Sequence, residues 1–201
     1  MPTFRNYSLP YSIDARFSKR VAYFSMEFAV HQPLKIYSGG LGFLSGSHLR
    51  SAYELRQNLI GVGILWKYGY YDQARNQDQT LQVQWNEKIY NFLEDTGIKF
   101  QIMIHDAPVW VKAWYLNPET FKSAPLFLLS TDLPENDYVS QTITHRLYDA
   151  MNPDDLAAKL GQRTRLVWLE AAGSVTMEFP DLPQLVRLCR AHGALTALDN
   201  T

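Results

Sequence analysis

Cysteine is nearly absent: Cys189 stands alone in 201 residues. One thiol rules out an internal disulfide and a cysteine-built metal cluster. Long apolar runs are missing as well. The longest, 59–66, is far short of the roughly 18 residues that a membrane-spanning helix needs. Residues 1–20 contain no continuous apolar stretch of the kind found in a secretory leader. Basic charge is not in excess either. Lys plus Arg number 19 against 20 Asp plus Glu, a net charge of −1, which argues against a nucleic-acid binder that works by neutralising phosphates. No internal repeat or low-complexity tract is visible. These absences leave a soluble, cytoplasmic chain with neither membrane nor nucleic acid as partner. What is present is enough apolar sequence to fold, since 46% hydrophobic and 19% charged residues lie outside the range of disordered chains.

The chain changes character near residue 150. Residues 1–150 hold all 12 Tyr, 9 of the 10 Phe and 4 of the 5 Trp, whereas 151–201 hold only Trp168 and Phe179. Alanine runs the other way, with 9 in the first segment and 7 in the much shorter second. Composition within one domain drifts less than this. The change marks either a domain boundary or the meeting of two unrelated coding histories, and composition does not choose between them.

Val21, Ala22, Tyr23 and Phe24 read as a buried strand. After a loop comes Ser38-Gly39-Gly40-Leu41-Gly42. Then Leu41, Leu44, His48, Ala52 and Leu55 recur at spacings of three and four, which predicts one face of a helix running to about Arg56. Residues 60–66 read as a second buried strand. Strand, glycine turn, helix, strand is a βαβ pattern and predicts a parallel sheet. Residues 68–100 give no clear pattern. Residues 101–105 and 109–115 bracket Asp106-Ala107-Pro108 as a hairpin, 125–130 is another strand, and 142–148 resembles the start of a helix. Farther on, Asn152, Pro153, Asp154 and Asp155 form a helix start that Gly161 closes. Residues 165–169 form a strand, and Asp181 caps a helix with Leu182, Leu185, Val186 and Cys189 on its apolar face. Gly193 ends that helix, and 194–198 is a strand. This second βαβ unit puts Asp199 just past the carboxyl end of its last strand, where ligands of open α/β sheets sit.

The glycine loop joins a loop to a helix N-terminus. Successive glycines let backbone N–H groups approach an anion without Cβ clashes, and the helix dipole favours negative charge there. A tight turn is the alternative, because GGxG alone is a weak signal.

The residues around the loop are more specific. Tyr23-Phe24-Ser25-Met26-Glu27-Phe28, Ile36-Tyr37-Ser38-Gly39-Gly40-Leu41-Gly42, Gly61-Val62-Gly63-Ile64-Leu65, Gly69-Tyr70 and Leu128-Leu129-Ser130-Thr131-Asp132-Leu133-Pro134-Glu135-Asn136 stand in order over about residues 10–150. Together they resemble the N-terminal domain of α-glucan (glycogen or maltodextrin) phosphorylases of the bacterial branch. The resemblance implies a two-domain glycosyltransferase fold with Rossmann-like halves, here an incomplete N-terminal one. It also implies pyridoxal phosphate (PLP) as cofactor, phosphorolysis of α-1,4-glucan to glucose 1-phosphate, and a homodimer in the parent family. In that family the loop matching Gly39, Gly40, Leu41 and Gly42 offers backbone N–H groups to the substrate phosphate; no catalytic residue and no metal ligand is carried over. Ser47 and Gln32 depart from the commonest residues, Asp and Glu. Glu27 is expected to make a structural hydrogen bond. His48 is expected on the inward helix face in a core or capping role. Trp66, Tyr68, Tyr70 and Tyr71 are expected in an aromatic core or domain interface, with stacking on sugar rings the alternative.

After Ala150 that resemblance stops. Asn152-Pro153-Asp154-Asp155-Leu156, Thr164 through Glu170, Gly173 through Phe179 and Ala197-Leu198-Asp199-Asn200-Thr201 resemble the PLP-binding domain of Cys/Met metabolism enzymes, with a cystathionine β-lyase flavour; Ala172 departs from the usual proline. The resemblance implies a βαβ fragment of a fold-type I PLP enzyme, with Asp199 pairing with the PLP ring nitrogen. Each family binds PLP through a lysine downstream of its matched segment, and none of the eight lysines here, Lys159 included, lies in a matching motif.

The expectation is therefore an α/β chain: 1–150 a partial phosphorylase N-terminal domain, 151–201 a transsulfuration-enzyme fragment. By itself it is expected to be inactive and to bind no PLP, and its two segments are expected not to share one sheet. The rivals are a non-catalytic phosphosugar- or glucan-binding module, a chimeric product without function, and a transsulfuration enzyme.

Overall fold

Leu59–Ile64 (β2) alternates buried and half-buried residues and lies inside a sheet. Val21–Phe24 (β1) pairs with it in parallel, joined by a helix, Gly40–Glu54 (α1). The expected βαβ unit is thus present. The computed structural model describes residue 4 and residues 7–79, 81–148, 156–157, 160–170 and 181–199. The chain divides into two compact units, Met1–Leu147 and Tyr148–Thr201.

In the first unit, Leu126–Ser130 (β7) pairs in parallel with β2 on the side away from β1. Glu94–Ile104 (β5) and Ala107–Leu116 (β6) form an antiparallel hairpin, and β6 pairs antiparallel with β7. The strand order is β1-β2-β7-β6-β5, a mixed sheet. The hairpin falls where the apolar runs placed it, but its loop is His105-Asp106, both at positive φ (48° and 65°). Two-residue loops of that kind match the right-handed twist of the strands, so Ala107 and Pro108 join β6 instead of turning. In the unreadable stretch, Asp72–Arg75 (β3) and Leu81–Gln84 (β4) make a separate antiparallel pair.

Three expectations are corrected. β1 is not buried: it is an edge strand, and Phe24 is 71% exposed. Its β-branched and aromatic composition gave the strand correctly but carried no information about a missing neighbour. Residues 142–148 do not start a helix. The helix is Tyr138–Thr142 (α3), and the Asp137 side chain caps it by accepting from Ser140 N. Third, the face of α1 turned to the sheet is Gly42, Ser45, Gly46, Leu49, Ala52 and Tyr53. Leu41, Leu44, His48 and Leu55 are exposed. Small residues won this face because the helix packs close: a Cβ on Gly46 would lie 2.3 Å from the Ala29 carbonyl oxygen. Pro118–Phe121 (α2) is a single turn capped by Asn117.

Aromatic rings tie the start of the chain to the sheet. Tyr7 and Tyr115 share a hydroxyl–hydroxyl bond of 3.0 Å, with Phe127 edge-on to the Tyr7 ring and tilted against that of Tyr115. Burial pushes the Tyr7 phenol up, and the bond to Tyr115 adds to it.

The second unit is a βαβ unit as expected. Leu166–Glu170 (β8) pairs in parallel with Leu195–Asp199 (β9). Between them Leu182–Ala191 (α4) is capped by Asp181, which accepts from Gln184 N, and ends at Gly193 with φ 78°. Leu185 and Cys189 are fully buried with Leu156, Leu169 and Ala194. The expected helix start at 152–155, Lys159, and the segment 172–179 lie outside the described residues.

Candidate functional site

β1, β2 and β7 run parallel, so their carboxyl ends lie along one edge of the sheet. Three things converge there: the loop after β1, the start of α1, and the residues just past β2 and β7. Ligands in open α/β sheets bind at such an edge.

The glycine loop is built around Glu27. Its carboxylate is 1% exposed. Oε2 accepts from Ser38 N at 2.8 Å and from Gly39 N at 3.4 Å, and Oε1 accepts from the Ser38 hydroxyl at 3.2 Å. The structural role expected for Glu27 is the one observed. Gly42 makes room for it, since a Cβ there would sit 3.0 Å from Oε2 and 2.5 Å from Tyr37 Cβ. Gly39 precedes the helix with no side chain capping it. The amides of Gly40, Leu41 and Gly42 occupy the first helical turn, where no intrahelical acceptor exists. A Cβ on Gly39 or Gly40 would meet no atom within 4 Å, so the loop is open on that side. Of the four loop residues, Gly39 has its N–H directed at Glu27, and the other three present theirs along the helix dipole.

His48 is not inward. It is exposed, with its ring 4.7 Å from that of Tyr23. Trp66 is buried and donates from Nε1 to Met26 O at 2.9 Å, which ties the end of β2 to the loop after β1. Tyr70 and Tyr71 pack with ring centroids 4.2 Å apart, and Tyr71 meets Trp85 edge-on. Tyr68, Tyr70 and Tyr71 are half-buried, so of the cluster only Trp66 belongs to the core. Ser47 and Gln32 are both exposed.

Sequence reasoning missed a charged cluster past the carboxyl ends of β2 and β7. Lys67, past the end of β2, places Nζ 2.9 Å from Asp132 Oδ2, and His145 Nε2 lies 3.2 Å from Asp132 Oδ1. Partial burial pushes the Asp132 carboxyl up, but the bonds from Lys67 and His145 outweigh it and hold it below the ordinary value. The bond to Asp132 in turn raises the Lys67 ammonium. Backbone bonds from Lys67 N to Thr144 O and from Tyr68 N to His145 O lay the segment after α3 along the end of β2. Lys67 and Asp132 each stand a few residues past a strand of one parallel pair, and only that pairing brings them together. Next to them Asn136 closes the end of β7, donating to Trp110 O and Thr131 O and accepting from Trp110 N.

In the second unit Asp199 is the last residue of β9, opposite Glu170 in register. Among the described residues there is no group of three or more His, Cys, Asp or Glu suited to hold a metal ion, and no helix is long and apolar enough to cross a membrane.

Comparison with known proteins finds relatives of two kinds. Residues 123–201 match the family described as Cys/Met metabolism PLP-dependent enzyme, a match that begins ahead of the composition change. An uncharacterized protein of Methanocaldococcus jannaschii is 55% identical over 134 residues, 67% of this chain and 26% of that protein. Glycogen phosphorylase of Mycobacterium tuberculosis is 34% identical over 139 residues, 64% of this chain and 16% of the enzyme. A putative cystathionine beta-lyase of Saccharomyces cerevisiae is 41% identical over 54 residues, 27% of this chain and 16% of the lyase. The chain thus spans about a quarter or less of the relatives it matches. It joins a segment similar to glycogen phosphorylases to a segment similar to Cys/Met metabolism PLP-dependent enzymes.

Proposed function

We propose that the first unit is the phosphate-binding part of an α-1,4-glucan phosphorylase site, on an incomplete Rossmann-like domain. The observation that carries this reading is the open glycine turn at the start of α1, set at the carboxyl edge of three parallel strands. The similarity to glycogen phosphorylases supplies the substrates, α-1,4-glucan and inorganic phosphate. Gly40, Leu41 and Gly42 donate N–H groups to the phosphate oxygens. Glu27 fixes the turn by holding Ser38 and Gly39, and a phosphate therefore does not use those two amides.

PLP belongs to both parent families, and none of the described lysines lies in a motif that matches either family's cofactor lysine. Covalent attachment needs a lysine amine that is unprotonated enough to react. Lys67, at the carboxyl edge of the sheet, is ion-paired with Asp132, which raises its ammonium and keeps it protonated. By this reading the chain alone forms no glucose 1-phosphate.

The test is an amide NMR titration with inorganic phosphate. A few backbone contacts correspond to a millimolar affinity, about −4 kcal/mol. Shifts at Gly40, Leu41 and Gly42 support the reading; if those amides stay still while others move, the loop is only a turn.

A second reading rests on the family match over 123–201. In it the second unit is a piece of a transsulfuration-type PLP enzyme, and Asp199, ending the parallel strand β9, is the partner of the ring nitrogen. Binding of a PLP analogue to the chain, lost in Asp199→Ala, would favour it.

A further inference from the structure

Helix α1 carries an apolar stripe that nothing covers: Leu44 is 66% exposed, and Leu41 and Leu55 are exposed too. β1 runs beside this helix. The Tyr23 ring rests against His48, the Tyr23 hydroxyl lies 3.4 Å from Ser45 Oγ, and Ser45 Oγ donates to Ser25 Oγ at 2.9 Å. Tyr23 therefore faces α1. Ala22 and Phe24, its neighbours along the strand, face the other side of the sheet, and both are exposed.

The five-stranded sheet has two edges, β1 and β5. Sheet edges are usually blunted by proline, a bulge or charged side chains on the strand. β5 is blunted: its register with β6 shifts between Asp95 and Lys99, and Glu94, Asp95 and Lys99 stand along it. β1 has no such device. Its register with β2 is unbroken, and its side chains are Val, Ala, Tyr and Phe. Val21 N and Ser25 N donate toward β2, to Asn58 O and Val62 O. In a parallel strand alternate residues bond to opposite sides, so the N–H and C=O groups of Ala22 and Phe24 point away from β2. Among the described residues β1 pairs with β2 alone.

We infer that a second copy of this chain covers the edge, β1 pairing antiparallel with its counterpart across a two-fold axis. A two-fold interface has to be complementary to itself. An open strand edge meets that demand, because turned end for end its outward donors meet its own acceptors. With Tyr23 on the axis, Ala22 and Phe24 of one copy exchange bonds with Phe24 and Ala22 of the other, and the two five-stranded sheets become one. α1 lies on the Tyr23 face in both copies, so the stripes of Leu41, Leu44 and Leu55 approach each other across the axis. The area is sufficient. A standard interface takes about 800 Å² from each partner, somewhat more than half of it apolar. At roughly 150–200 Å² for a whole large side chain, the exposed parts of Val21, Phe24, Leu41, Leu44 and Leu55 come to roughly 500 Å². A net charge of −1 leaves little repulsion between copies. Because β5 is blunted, the pairing closes on two copies instead of running on from edge to edge. The inference does not depend on the phosphorylase reading of the first unit.

The test is the oligomeric state of the whole 201-residue chain. Sedimentation equilibrium is expected to show a dimer at micromolar concentration. Hydrogen exchange at the Ala22 and Phe24 amides is expected to be at least about tenfold slower in the dimer than in the chain diluted to monomer. Phe24→Lys and Leu44→Asp, both at exposed positions, are expected to keep the circular dichroism of the parent chain and to weaken the dimer at least about tenfold. A chain that stays monomeric throughout the micromolar range overturns the inference. So does an open-ended series of larger assemblies, a dimer that leaves those two amides exchanging as in the monomer, or a dimer that neither variant weakens. Should a variant lose the circular dichroism of the parent, the concentration dependence of exchange at Ala22 and Phe24 in the parent chain decides by itself. The phosphate titration at Gly40–Gly42 is independent, so failure of the loop reading and failure of the dimer are told apart.

Discussion

Glu27 and Ser38, eleven positions apart in sequence, are bound twice, amide to Oε2 and hydroxyl to Oε1, so that the loop returns to the end of β1. One buried carboxylate thereby sets the shape of the glycine turn. Removing it in Glu27→Ala leaves the Ser38 and Gly39 amides without their acceptor. A hydrogen bond to a charged group contributes about 1.5–3 kcal/mol, and a loss of that size is expected in urea unfolding. Glu27→Gln keeps one acceptor oxygen and should lose about half as much. A Glu27→Ala protein as stable as the parent would show that the carboxylate does not hold the turn.

Two glycines of α1 should respond in opposite ways. A methyl on Gly46 meets backbone, the Ala29 carbonyl, at 2.3 Å. Backbone cannot step aside as a side chain can, so Gly46→Ala is expected to cost about 3 kcal/mol. A methyl on Gly40 meets nothing within 4 Å, and Gly40→Ala should change stability by no more than about 0.5–1 kcal/mol, with stabilisation the expected sign. Thermal melts of the pair check the close approach of the helix to the loop after β1.

Asp132 makes stability depend on pH at both ends. Its carboxyl is held low, so its contribution is present above the ordinary carboxylate range and is lost as pH falls through the depressed folded value. Lys67 is held high, so its contribution is present below the ordinary lysine range and is lost as pH rises through the elevated folded value. Asp132→Asn should cost about 1–2 kcal/mol at neutral pH and flatten both limbs of the profile. Parallel profiles for parent and variant would count against the cluster.

Ser123 is wholly buried, and its hydroxyl has no hydrogen-bond partner among the described residues. An unmet polar group in the interior costs roughly 1–3 kcal/mol. Ser123→Ala is expected to raise the denaturation midpoint, by at most about 1 kcal/mol once the lost packing is counted. A clear loss of stability would reveal a bond that the hydroxyl makes in solution.

Strand identity was legible in the sequence because β-branched and aromatic runs are local signals, and β2, β7, β8 and β9 all fall within a residue or two of their expected places. The helix caps at Asp137 and Asp181 are local as well, yet only Asp181 was found; Asp137 lay ahead of the window in which a helix was sought. Which face of α1 is buried was not legible. The apolar stripe of Leu41, Leu44 and Leu55 outscored the small-residue stripe of Gly42, Ser45 and Gly46, because hydrophobicity rewards side chains and is blind to close backbone packing. The site showed the same division. The glycine loop is contiguous and was found. Lys67, Asp132 and His145 are distant in sequence and meet only because β2 and β7 are neighbours.

The parallel pairing of β2 with β7 also sets an order of events. The hairpin of β5 and β6 closes over two residues, whereas Gly61 meets Leu126 only after the intervening chain has been gathered. Loop-closure entropy rises with the length enclosed, and topologies rich in distant contacts fold slowly. The hairpin should therefore form early and the β2–β7 seam late, so that Leu128→Ala speeds unfolding while a weakened His105-Asp106 turn slows folding. Until that seam closes, the carboxyl edge does not exist, and the glycine turn has no sheet to stand on.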